Sequence, residues 1–97
     1  DGLKGMHILV AEDNHVNALV ITRFLKKWGV ESEVAANGKI AIEMTASANY
    51  DLILMDLQMP EMDGRTATSL LRNSEDVRLK NIPVVALTAD ALIESHR

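Results

Sequence analysis

Short apolar runs alternate along this chain with stretches in which apolar residues recur every three or four positions. The first run, Met6 to Ala11, predicts a strand. From Val16 to Trp28, the spacing of Ile21, Phe24, Leu25 and Trp28 predicts an amphipathic helix, with Trp28 in the core. Asn14 suits its N-cap and Gly29 its C′ position. Val30, Ser32, Val34 and Ala36 alternate with Glu31, Glu33 and Ala35, the mark of a half-exposed strand near a sheet edge. Asn37-Gly38 is a turn signal. A second helix is predicted from Lys39 to Ser47, with Ile40, Ala41 and Met44 inward. Leu52 to Met55 is uniformly apolar, as a parallel strand covered on both faces should be. A third helix follows Gly64, with Ala67, Leu70 and Leu71 inward. Glu75 to Lys80 reads as a polar helix end and loop. Ile82 and Val84 to Leu87 make a fourth strand with Pro83 near its start, and Ala91 to Arg97 begins another helix.

This βαβαβαβ order implies an α/β fold: a doubly wound parallel sheet with right-handed crossovers and helices on both faces. Ninety-seven residues make one small domain. Residues 1–5 read as a linker or cut end, and the domain occupies 6–97. The net charge of −4 argues against non-specific nucleic-acid binding, which needs a basic face. The chain has no cysteine, so disulfides, thiolate metal sites and cysteine nucleophiles are excluded, in keeping with a cytoplasmic domain. No apolar run reaches the ~18 residues of a membrane span, and the start lacks a signal-peptide core.

The chemistry gathers where the strands end. Glu12 and Asp13 follow the first strand, Asp56 the third and Thr88 the fourth. Ligands of open α/β sheets bind outside the carboxyl ends of the strands, at the topological switch point. Taken singly, Asp56 and Thr88 read as turn or cap residues and Glu12-Asp13 as a solvated loop pair; their joint occurrence at three strand ends points to a site. Three carboxylates at one sheet edge repel one another unless a cation or a proton intervenes. Mg²⁺, or Mn²⁺ in its place, suits an all-oxygen set. Asp13 and Asp56 are the expected direct ligands, with the Gln58 backbone carbonyl beside them and Glu12 acting through water. A carboxylate in such a setting can be a nucleophile toward a phosphoryl donor. Thr88 offers a hydroxyl to a phosphoryl oxygen, and the small Ala89 leaves a path for the donor. His7, His15 and His96 lack metal-ligand spacing and read as surface residues. No P-loop or Gly-x-Gly-x-x-Gly is present, and no DxD follows the first strand, against a nucleotide-binding or phosphatase enzyme.

Val10-Ala11-Glu12-Asp13-Asn14, Leu54 through Gly64, and Leu87-Thr88-Ala89 resemble, respectively, the acidic-pair, phosphoacceptor and switch motifs of two-component response regulator receiver domains. The opening from Ile8 to Asn17 is most similar to receivers attached to hybrid sensor kinases, whose parent chains can be membrane-anchored. The resemblance implies a flavodoxin-like sheet of strand order 2-1-3-4. It also implies Asp56 as acceptor of a phosphoryl group from a phosphohistidine, with Mg²⁺ on Asp13, Asp56 and the Gln58 carbonyl, and Thr88 as the switch hydroxyl. Such a domain catalyses its own phosphorylation and is not a turnover enzyme. Its partners would be a histidine kinase or its phosphohistidine domain and a downstream phosphotransfer domain, with no direct nucleic-acid or membrane contact. The family's fifth strand, its terminal lysine and the fifth helix have no counterpart here; Lys80 precedes the fourth strand. The expectation is therefore a truncated receiver whose apolar fourth-strand edge invites self-association. The alternative is a pseudo-receiver acting only as a protein-binding module.

Overall fold

A computed structural model describes residues 5–87. Four parallel strands, β1 (His7–Ala11), β2 (Glu31–Ala35), β3 (Leu52–Asp56) and β4 (Val84–Leu87), form one sheet in the order β2-β1-β3-β4. The flavodoxin-like order expected from the sequence is thus observed. Three helices cross between the strands, α1 (His15–Lys27), α2 (Gly38–Ser47) and α3 (Gly64–Arg72), and a single turn, α4 (Val77–Lys80), precedes β4.

Local chemistry sets the helix boundaries. Asn14, Asn37, Asp63 and Asp76 are the N-caps, and each side chain accepts a hydrogen bond from a backbone N–H of the first turn. Gly29 takes the left-handed conformation, φ 79°, that ends α1. α4 forms as a separate turn where the polar pattern suggested the end of the preceding helix and a loop. Asp76 caps it, its Leu79 is buried, and Arg78 donates to the Ala48 carbonyl at 2.8 Å.

The sheet divides the apolar interior into two layers. Leu9, Ala11, Ile53 and Met55 face α2 and α3, where Ala41, Ala67 and Leu71 cover them. Ile8 and Val10 face the other way, toward Leu25 and Val30. On that second side Leu52 and Leu54 are half-buried, so among the described residues β3 is fully covered on one face only, while no residue of β4 is buried and Val85 is 49% exposed.

The structure corrects two further expectations. Trp28 is 52% exposed rather than core, and Phe24 is 59% exposed, because α1 seats Ala18, Ile21 and Leu25 on the sheet. Phe24 lies about 100° round the helix from Leu25, and Trp28 continues that outer stripe. Leu70 is 48% exposed for the same reason: Ala67 and Leu71, four apart, are the residues that face inward. Thr45, fully buried, satisfies its hydroxyl on the Ile42 carbonyl at 2.8 Å.

At the amino end of the sheet, Glu33 accepts from the Tyr50 hydroxyl at 2.8 Å and lies 2.9 Å from His7 Nε2. This cluster ties edge strand β2 to β1 and to the segment entering β3. Burial and Glu33 push the Tyr50 hydroxyl up to about 12.

Candidate functional site

The strand order reverses between β1 and β3, because β1 sends its chain to β2 on one side while β3 leads to β4 on the other. That is the switch point, where diverging crossovers leave a crevice. Ala11 is in register with Met55, so the next residues, Glu12 and Asp56, leave the sheet side by side. Carboxylate oxygens of Glu12, Asp13 and Asp56 all lie within 4.8 Å of one another. Among the described residues this is the one group of acidic or histidine side chains close enough to share a metal ion.

The three carboxylates sit in different surroundings. Glu12 is buried, Asp56 is half-buried and Asp13 is exposed. The Glu12 backbone donates to Ala35 at 3.0 Å, continuing the β1–β2 ladder, and its carboxylate accepts from the Asn14 N–H at 3.1 Å. Burial pushes its pKa up to about 7, opposed by the Asn14 bond and reinforced by Asp56 and Asp13. In the absence of a cation a proton on Glu12 therefore relieves the repulsion, as expected for close carboxylates. The donors are all oxygens and two of the three groups are open to solvent, which fits a hard, partly hydrated divalent cation.

The loop after β3 shapes the rest. Asp56 Oδ1 accepts from the Gln58 N–H at 3.0 Å, which fixes the carboxylate and turns the chain sharply. Gly64 N–H closes the loop on the Leu57 carbonyl at 3.2 Å. Any Cβ at Gly64 would collide with the Asp56 carbonyl oxygen, and one at Gly38 with that of Met62. These two glycines let α3 and α2 press against the loop. Glu61 is held at φ 66°, a left-handed conformation uncommon for a side chain of its kind. A cavity of about 520 Å³ opens along the loop that follows Asp56, lined by Asp13, Gln58, Met59, Asp63 and Arg65 among others.

Glu12, Asp13, Asp56 and Gln58 are thus gathered at one place, as the sequence suggested. Thr88 and Ala89, like His96 and the helix begun at Ala91, lie outside the described residues. Leu87, immediately before Thr88, is in register with Asp56. Arg65 escaped the sequence reading. Its one local signal was a cation in the first turn of a helix, where the helix dipole disfavours positive charge.

Residues 8–96 match the family described as the response regulator receiver domain. Hybrid signal transduction histidine kinase G of Dictyostelium discoideum is 44% identical over 89 residues; the match covers 90% of this chain but 3% of that protein. Among solved structures, the receiver domain of a Pseudomonas aeruginosa sensor histidine kinase, with magnesium coordinated in its active-site cleft, is 38% identical with a TM-score of 0.83. That match covers 95% of this chain and 74% of the other. The receiver domain of Ssk1 from Saccharomyces cerevisiae, crystallised with the histidine phosphotransfer protein Ypd1, is 29% identical with a TM-score of 0.78, covering 90% of this chain and 66% of the other. With the fold, the strand order and the acidic crevice, these likenesses make the chain a member of the response regulator receiver domain family of two-component signalling.

Proposed function

We propose that Asp56 is the phosphoacceptor and that it takes a phosphoryl group from a phosphohistidine on a partner protein. The observation that carries this reading is the meeting of Glu12, Asp13 and Asp56 oxygens within 4.8 Å at the switch point. One Asp56 oxygen is held by the Gln58 N–H; the other attacks phosphorus. The P–N bond of the donor breaks as the P–O bond to Asp56 forms, and the departing imidazole keeps the electron pair and takes up a proton. Asp13, Asp56 and the Gln58 carbonyl are the groups that would hold Mg²⁺, with Glu12 acting through water. Mg²⁺, when bound, neutralises charge on the transferring oxygens. The Asp56–Gln58 hydrogen bond keeps the nucleophile in one orientation, so little ordering is left to the moment of reaction. Thr88 is the proposed switch hydroxyl and Ala89 the small residue that leaves the donor room.

The partner class follows from the same chemistry: a histidine kinase or phosphotransfer domain bearing phosphohistidine. Several relatives are hybrid kinases, and a structural neighbour was crystallised with a phosphotransfer protein. Both key carboxylates are present, which argues against a receiver that only binds. No helix among the described residues is long and apolar enough to cross a membrane.

Intact mass after incubation with Mg²⁺ and acetyl phosphate tests the reading. One phosphoryl adduct is expected, lost with Asp56→Asn and on chelation of Mg²⁺. An adduct that survives Asp56→Asn would place the nucleophile elsewhere. A folded chain that takes no adduct from acetyl phosphate or from a phosphohistidine protein would support the binding-module alternative.

A further inference from the structure

We propose that Arg65 is the donor-binding residue of this receiver: its guanidinium meets the phosphoryl oxygens of the incoming donor in the cavity it shares with Asp13 and Gln58. The inference rests on the reading of Asp56 as phosphoacceptor and adds a residue that captures the donor before transfer.

Three observations converge. Arg65 lines the same cavity of about 520 Å³ as Asp13 and Gln58, so its side chain borders the approach to the acidic crevice. It is the one cation among the residues lining that cavity, where Asp13 and Asp63 supply negative charge. The remaining lining residues are neutral, so Arg65 supplies the one attraction along this wall for an anionic donor and offsets the two carboxylates.

The second observation is its place in α3. Asp63 is the N-cap and Gly64 the first helical residue, so Arg65 stands in the first turn. A cation there opposes the helix dipole. Helix stability therefore does not account for an arginine at this position.

The third is its freedom. Arg65 is exposed, and among the described residues no carboxylate lies within salt-bridge distance of its guanidinium. Asp63 feels its charge, but that carboxylate is held low first by its hydrogen bonds from Thr66. The guanidinium fork, planar and permanently charged, matches phosphoryl oxygens better than an ammonium would.

The test measures the rate of phosphoryl adduct formation, by intact mass, against donor concentration at fixed Mg²⁺. Acetyl phosphate is the dianionic donor and phosphoramidate the less charged one. The variants are Arg65→Ala, Arg65→Lys and Arg23→Ala, the last removing an exposed cation from α1, away from the cavity. Arg65→Ala is expected to raise the half-saturating acetyl phosphate concentration about 3- to 10-fold, with the limiting rate changed less than about twofold. The shift should be smaller with phosphoramidate, partly restored by Arg65→Lys, and absent in Arg23→Ala.

An equal shift in Arg23→Ala would mean that net charge alone is responsible and would overturn the proposal. So would an unchanged half-saturation accompanied by a changed melting temperature, which would assign Arg65 to the α3 terminus. Absence of any adduct on the wild-type chain would instead remove the phosphoacceptor reading, and this proposal with it.

Discussion

Glu12 carries a proton at neutral pH far more readily than an ordinary carboxylic acid, because it is buried beside two other carboxylates. Its pKa of about 7 when folded lies above its ordinary value of 4.5. The folded chain thus holds a proton that the unfolded chain has released across that interval. Stability from this group is fully present below pH 4.5 and is lost as pH rises through 7. The loss is on the order of 3 kcal/mol without a cation. The melting temperature of the wild type relative to Glu12→Gln should therefore fall between pH 5 and pH 8 in chelator, and added Mg²⁺ should recover it at the upper end. Thermal melts of both proteins across that range check this; a pH-independent difference would show that Glu12 is not the group that titrates. The same residue was legible in the sequence as half of an acidic pair. Its burial was not, because that depends on β2 and β3 closing around it.

At the scale of elements, α1 shows how a helix can mislead. Ala18, Ile21 and Leu25 form the stripe that meets the sheet, while Val16, Val20 and Phe24, four apart, form a second stripe that faces outward. Phe24 and Trp28 stack edge to face at 6.2 Å on that outer side. Both stripes have helical period, so periodicity establishes the helix and leaves its rotation open. Truncating each stripe in turn distinguishes them. Leu25→Ala should cost about 2–4 kcal/mol in denaturant unfolding. Phe24→Ala, its neighbour in sequence, should cost about 1 kcal/mol or less. Equal losses would mean that α1 is rotated from the position described.

The whole molecule is a sheet with two separate apolar layers. Leu71 packs in the layer under α2 and α3, and Leu25 in the layer under α1. The strands between them transmit little, since each side chain points to one face only. Leu71→Ala and Leu25→Ala should therefore be additive in unfolding free energy to within about 0.5 kcal/mol. A coupling well above that in the double mutant would show that the layers act as one core. The acidic site is built on the first of these layers. Met55 sits one residue before Asp56, and both Met55 and the Asp56 backbone leave Gly64 no room for a side chain. The loop after β3 is therefore held tightly against α3.

The order and type of the main elements were legible in the chain because each depends on local periodicity or short caps; the strand order was implied by the resemblance to receiver domains, not by any local pattern. The acidic crevice was legible because its residues end apolar runs. Asp13 and Asp56 could be named for that reason. Three things were settled by tertiary structure alone: which stripe of α1 is inside, the burial that raises Glu12, and the presence of Arg65 on the same cavity wall as Asp13. Each depends on distances between segments far apart in sequence. Those distances follow from how helices rotate and loops close against a shared core, and no local pattern of residues encodes them.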